Sequence, residues 1–245
     1  MKKIVTTTVL LIVIVSSFGF AWLRGMARGG EDSYFNRAWR ERFAAYPWMR
    51  AALGLHFDGD ARADYLGARY QKILIEVDEM SGEEVSPAVL DLLVQKVTLA
   101  TGKPASYIFS DRSLPSEEKL DRSAIAKIVS RYRNYRSGNG AAALYLLYGS
   151  RDALDDNSLG TTYDEYGMVL FGDRLDEFVG QNSRTEDAYV ASTALHEFGH
   201  QIGLPHNSEP GCLMNESVEQ ADMAWQRPRD VITDFCDYEK SLIRP

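Results

Sequence analysis

The chain has 245 residues, of which 45% are apolar and 25% charged, with a formal net charge of −8. That length fits one domain with a terminal extension, and the composition permits a sizeable core. The negative balance argues against a nucleic-acid partner, because phosphate binding asks for a basic surface.

Residues 1–23 stand apart from the rest. Lys2 and Lys3 precede the apolar run Val9–Val15, and Gly19-Phe20-Ala21 places small residues where a signal peptidase reads them. Ile4–Leu23 is also just long enough to span a bilayer, although Thr6, Thr7 and Thr8 weaken that reading. Arg24 and Arg28 follow the run, so flanking charge leaves the orientation open. The segment is therefore expected to be a signal peptide or an uncleaved anchor, with possible membrane attachment through residues 4–23. Both readings put the remainder of the chain outside the cytoplasm. In that setting the two cysteines, Cys212 and Cys236, are readable as one bridge.

Residues 24–70 are rich in arginine and aromatic side chains at roughly helical spacing: a packed helix, a pro-segment or a juxtamembrane arm. Residues 71–245 read as one domain. Ile73–Val77 has strand composition, and Ser86-Pro87 opens a helix that runs to Gly102 and stops before Pro104. A strand is expected over 106–110, a helix over 121–135, and strands over 141–148 and 166–171 around a loop at 151–160. Ser183-x-x-Glu186 has the form of a capping box, and Ala191, Leu195, Phe198 and Ile202 mark the buried stripe of the long helix it opens. A last helix is expected over about 228–243. Strands with crossover helices, followed by a helical end, give the class α/β or α+β.

Three of the four histidines lie in His196-Glu197-Phe198-Gly199-His200-Gln201-Ile202-Gly203-Leu204-Pro205-His206. His196 and His200 are four apart, so on a helix they project from one face and can share a metal. Gly203 permits the left-handed turn that ends the helix, after which the chain can deliver His206 as a third ligand. Three protein ligands with an open fourth position suit a catalytic zinc, whereas a structural site is closed by four. Glu197, beside the first ligand, can reach a water on the metal without being a ligand itself.

H-E-x-x-H-x-x-G-x-x-H followed by a methionine turn resembles the signature of the metzincin metallopeptidases, with Met214 as the Met-turn residue. Within that group the chain looks most like the archaemetzincins. The resemblance implies a twisted, mostly parallel sheet, crossover helices, a long active-site helix, the Met-turn and a C-terminal helix. Archaemetzincins hold a second, structural zinc with four cysteines. Cys212 and Cys236 match two of those positions, while Asn207 and Glu239 stand at the other two. One catalytic ion is therefore expected and a second zinc is not. For the cysteine pair the candidates are a Cys212–Cys236 disulfide, two free thiols or a degenerate metal site, in that order.

Phe57-Asp58-Gly59-Asp60 has the F-x-G-D form that keeps astacin-type metzincins latent through an aspartate at the zinc, which makes Asp60 a latency candidate; the same residues also make a plain turn. No cysteine precedes residue 212, which excludes a matrixin-type cysteine switch.

The expected activity is hydrolysis of peptide bonds by a water on a three-histidine zinc, with Glu197 as general base. The substrate is a peptide or protein, laid along an edge strand for which residues 166–171 are the candidate. Tyr163 and Tyr166 could assist at the oxyanion. The competing class is a non-catalytic zinc-bearing module that uses the same cleft; Glu197 argues against it, since such a module has no use for a general base. An enzyme acting on a non-peptide amide is a third class. Cleavage preference and oligomeric state are not encoded in any motif of the sequence.

Overall fold

The computed structural model describes residues 2–30, 32–116, 119–152, 158–179, 183–215 and 231–243, without the side chains of 2–12, 152, 178–179 and 183–186. Helix α1, Lys2–Ala27, runs unbroken through Gly19-Phe20-Ala21. Among the described residues no helix is long and apolar enough to cross a membrane. Most of the apolar run expected to do so belongs to side chains outside that description.

Four short helices follow: α2 Tyr34–Ala38, α3 Arg40–Ala44, α4 Pro47–Leu53 and α5 Arg62–Leu66. Ser33 caps α2 by accepting from the Asn36 N–H, and Gly54 closes α4 at φ 68°, a left-handed conformation that suits glycine. Their apolar faces are small. Phe35, Ala44, Leu53 and Leu55 form a separate cluster with Ala27, against which Leu23 and Met26 also pack. Two buried arginines complete this arm. Arg40 bridges Asp60 through Nε (2.8 Å) and Nη2 (2.5 Å), donates to the Ala27 carbonyl (3.0 Å) and lies 3.5 Å over the Phe57 ring. Arg50 pairs with Asp64.

The chain beyond Tyr70 is built on a five-stranded sheet. Its strands are β1 Lys72–Met80, β2 Ala105–Leu114, β4 Ala141–Gly149, β6 Gly160–Tyr163 and β7 Gly167–Phe171, in the order β2-β1-β4-β7-β6. A small parallel pair, β3 Lys119–Leu120 with β5 Arg151–Asp152, stands outside it. The crossover helices are α6 Pro87–Thr101, which starts at the Ser86 cap, and α7 Arg122–Tyr132, capped by Asp121. β2, β1, β4 and β7 are parallel, while β6 pairs antiparallel with β7. A shorter helix, α8 Gly172–Val179, follows β7 directly and precedes the long helix α9, Ser183–Gln201.

Alternation along the strands divides the core into two layers. Ile73, Ile75, Val77, Leu144, Leu146, Met168 and Leu170 join α6 and α9. Tyr145, Leu147, Val169 and Phe171 meet Ile125 and Ile128 of α7 on the other side.

Two expectations are corrected. The strand expected to be the edge, residues 166–171, is interior between β4 and β6, and its first residue sits in a 3-10 turn, Asp164–Tyr166. β6 forms a hairpin with β7 and takes the outer position, because β7 has its other side filled by β4. The last helix, α10, spans only Asp237–Ile243. The Glu239 carboxylate reaches back to the Cys236 N–H at 2.8 Å, half of a capping box, and so sets the helix start there. Residues 228–230 of the longer expectation lie outside the described residues, as do the side chains of the capping box Ser183–Glu186.

Candidate metal centre

The buried stripe of α9, with Ala191, Leu195 and Phe198 fully buried and Ile202 buried just beyond its end, turns the opposite flank of its last turns toward β6 and the loop beyond Gln201. His196 and His200 stand on those turns. Gly203 ends the helix at φ 77°, with the Leu204 N–H returning to the Gly199 carbonyl, and the chain reverses to bring in His206. The three imidazoles meet at their Nε2 atoms: 3.1 Å from His196 to His206 and 3.1 Å from His200 to His206. Nitrogens bound tetrahedrally to zinc at about 2.0–2.1 Å would lie about 3.3 Å apart, so the donor set fits that ion. The His196 ring donates from Nδ1 to the Leu213 carbonyl at 2.7 Å, which leaves its Nε2 as a lone-pair donor.

Glu197 is buried beside the triad, and Thr162 of the edge strand β6 donates to its Oε2 at 2.8 Å. That bond holds the carboxylate next to the edge against which an extended chain could pair. Gln201, fully buried, donates to the carbonyls of Asp164 (3.0 Å) and Gly167 (2.7 Å), fastening the end of α9 to the β6–β7 turn. Neither Thr162 nor Gln201 is signalled by the sequence, since their role appears only once the hairpin folds onto α9.

Met214 lies fully buried against the last turns of α9, where a side chain at Gly199 would collide with its sulfur. The turn that carries it is fastened twice. Cys212 and Cys236 form a disulfide. Glu239, also buried, accepts from the backbone N–H groups of Met214 (2.6 Å), Leu213 (3.2 Å) and Cys236 (2.8 Å) and from the Asn207 amide (3.0 Å). The two positions without cysteine thus carry hydrogen bonds in the same small region that the disulfide ties.

Asp60 is brought near the centre but not into it. Both of its carboxylate oxygens are taken by Arg40, and Oδ2 also accepts from the Phe57 N–H. In this structure the F-x-G-D segment makes the turn and an ion pair. The turn itself does reach the site, because Gly59 packs so closely on Gly203 that an added Cβ would stand 2.6 Å from its Cα. Arg62 donates to the Ile202 carbonyl at 2.5 Å and to that of Leu242 at 2.5 Å. His56, the fourth histidine, bonds through Nδ1 to Glu165 at 3.0 Å, and this partner holds its pKa above the ordinary value. Together these residues wall a cleft of about 1590 Å³ shared by His200, Asp164 and the arm. Tyr163 packs against the α7 layer, and Tyr166 lies 3.8 Å under the Arg133 guanidinium.

The matrixin peptidase family profile matches residues 145–232, a span that contains β6, β7, the whole histidine motif and the Met-turn. No curated protein matches the chain. Among solved structures, the archaemetzincin of Methanopyrus kandleri superposes with a TM-score of 0.50 at 15% identity, covering 72% of this chain and 94% of that one. The archaemetzincin of Archaeoglobus fulgidus, complexed with malonate, gives 0.46 at 18% identity over 69% and 99%. A zinc-dependent peptidase from Methanocorpusculum labreanum gives 0.46 at 17% identity over 69% and 100%. The mixed, mostly parallel sheet with its flanking helices matches the first of these folds. With a peptidase profile on the histidine segment, the chain is a zinc metallopeptidase, and the fold around that segment is similar to that of an archaemetzincin.

Proposed function

We propose that His196, His200 and His206 hold a single catalytic zinc and that Glu197 is the general base of peptide hydrolysis. The observation that carries this is the meeting of three imidazole Nε2 atoms beside a buried carboxylate that an edge-strand hydroxyl holds in place. When bound, the metal acidifies water and polarises the scissile carbonyl. Glu197 takes the proton from the attacking water and returns it to the leaving amine. Thr162 keeps its Oε2 oriented, and the backbone of β6 offers hydrogen bonds to an extended peptide, so the substrate lies along β6 rather than β7.

Glu197→Ala is expected to keep a full equivalent of zinc by elemental analysis and to lose about 10²–10⁴-fold in kcat/KM on a peptide library. Equal activity in the variant would overturn the assignment.

The enzyme works outside the cytoplasm, held to the membrane by α1. Two features support this. A disulfide braces the site, which fits an oxidising compartment. The helix also continues through the candidate cleavage site and docks its last turn in the arm, where Ala27 is buried.

A further inference from the structure

The chain contains four tryptophans, and three of them fall between Trp22 and Trp48. Tryptophan is usually well buried in a folded domain. Here Trp22 is 68% exposed, Trp39 43% and Trp48 63%, and beside them Tyr34 is 73% and Tyr46 49% exposed. The arm has an apolar cluster of its own, yet these five rings stay outside it.

Charge sets the same segment apart. Between Trp22 and Arg50 six arginines face three acidic residues, in a chain whose net charge is −8. Arg40 and Arg50 are spent inside the arm on Asp60 and Asp64. Arg24, Arg28, Arg37 and Arg42 remain exposed, and the Arg42 guanidinium sits 5.2 Å from the Trp39 ring centre. Amphipathic rings with arginines are the composition of a protein surface at the headgroup level of a bilayer, where rings sit among headgroups and cations meet anionic lipid. Continuity gives the occupant: the segment begins at the end of Ile4–Leu23, the stretch just long enough to span a bilayer.

We propose that the arm from Trp22 to Arg50 is a membrane-interface surface that rests on anionic lipid through Trp39, Trp48, Tyr34 and Tyr46. This builds on the reading of α1 as a retained anchor but rests on different residues. The same arm continues into Gly59 and Arg62, which press on the end of α9. Lipid contact would therefore fix the height of the zinc-binding helix above the bilayer and favour substrates that stand close to it.

The test uses the full chain reconstituted in phosphatidylcholine–phosphatidylglycerol vesicles, with lipids brominated near the headgroup. Three variants each retain one of Trp22, Trp39 and Trp48, with the remaining tryptophans replaced by phenylalanine. Trp39 and Trp48 are both expected to lose emission relative to unbrominated vesicles. Unchanged emission of either, with Trp22 quenched, would leave the anchor standing and overturn the surface. Quenching of Trp39 and Trp48 without Trp22 would keep the surface and remove the spanning helix. Shielding of Trp39 and Trp48 from acrylamide that grows with protein concentration in lipid-free detergent would make a second copy the occupant and also overturn it. Should a triple replacement fail to fold, W39F and W48F in the otherwise native chain give the two contributions by difference.

Discussion

The end of α9 is gripped from two sides by different chemistry. Beneath the histidines, the Met-turn is tied to α10 by the Cys212–Cys236 bond and by one carboxylate, Glu239, that accepts from three backbone N–H groups and an amide. On the cleft side the arm leans on Gly203 through Gly59 and Arg62, and is itself braced by two side-chain ion pairs, Arg40–Asp60 and Arg50–Asp64. The first grip fixes backbone directly and needs only a short stretch of chain on each side. The second joins long side chains whose desolvation offsets much of their attraction, so it specifies a position more than it adds stability. For Asp64 burial is the larger influence, raising its pKa although Arg50 opposes the shift. The support beneath the metal should therefore be the stiffer of the two, and the arm the part that yields.

The comparison breaks first at Glu239. Glu239→Ala strands the N–H groups of Leu213, Met214 and Cys236 in a buried region, and should cost on the order of 3–5 kcal/mol in chemical denaturation. Because Leu213 also receives the His196 Nδ1 proton, the variant should surrender zinc to a chelator faster than the native chain. The disulfide comes next. Its sequence separation is 24 residues, and opening such a loop with Cys212→Ser and Cys236→Ser together should cost about 3 kcal/mol. Non-reducing peptide mapping of the native protein should find the two cysteines linked. A smaller effect is expected in the arm. Asp60→Asn weakens the Arg40 bridge, but Arg40 keeps Ala27 and Asn36 as acceptors. The cost should be about 2 kcal/mol, below the 3–5 kcal/mol of a buried pair with no other partner. It should appear as faster hydrogen exchange over 34–66 with zinc retention unchanged. If Asp60→Asn loosened zinc more than Glu239→Ala, the ranking of the two grips would be reversed.

The meeting of the three histidines was legible in the sequence because it depends on local geometry: four residues along a helix, then a glycine turn and three more. Strand and helix order from residue 71 was legible for the same reason, through alternation and caps such as Ser86. What depends on long-range approach was not. Thr162 reaches Glu197 across 35 positions, and its four-residue strand, Gly160–Tyr163, is too short to announce itself, which leaves residues 166–171 as the edge the sequence offers. Glu239 was legible only as a missing cysteine, since its four donors come from three separate segments of chain. Asp60 sat in a recognisable turn, but the arginine that claims it lies 20 residues earlier.

The smallest effect concerns the contact between the arm and the β6–β7 turn. His56 bonds to Glu165, and that hydrogen bond is the main cause of its raised pKa; burial opposes the shift, while the charges of Glu165, Asp164 and Asp60 assist it. A histidine that holds its proton more firmly in the folded state than in the unfolded chain, where its pKa is about 6.5, stabilises the fold fully below that value. The contribution is lost as pH rises through the folded pKa. The ring is half exposed, so solvent screening keeps the stabilisation well under about 1 kcal/mol. Hydrogen exchange over residues 54–60, corrected for its intrinsic pH dependence, should show more protection at acid pH than at alkaline pH, and His56→Asn should remove the difference. A native chain with equal protection at both values would mean that Gly59 and Arg62 alone seat the arm on α9, and that the ion pair adds nothing to the grip.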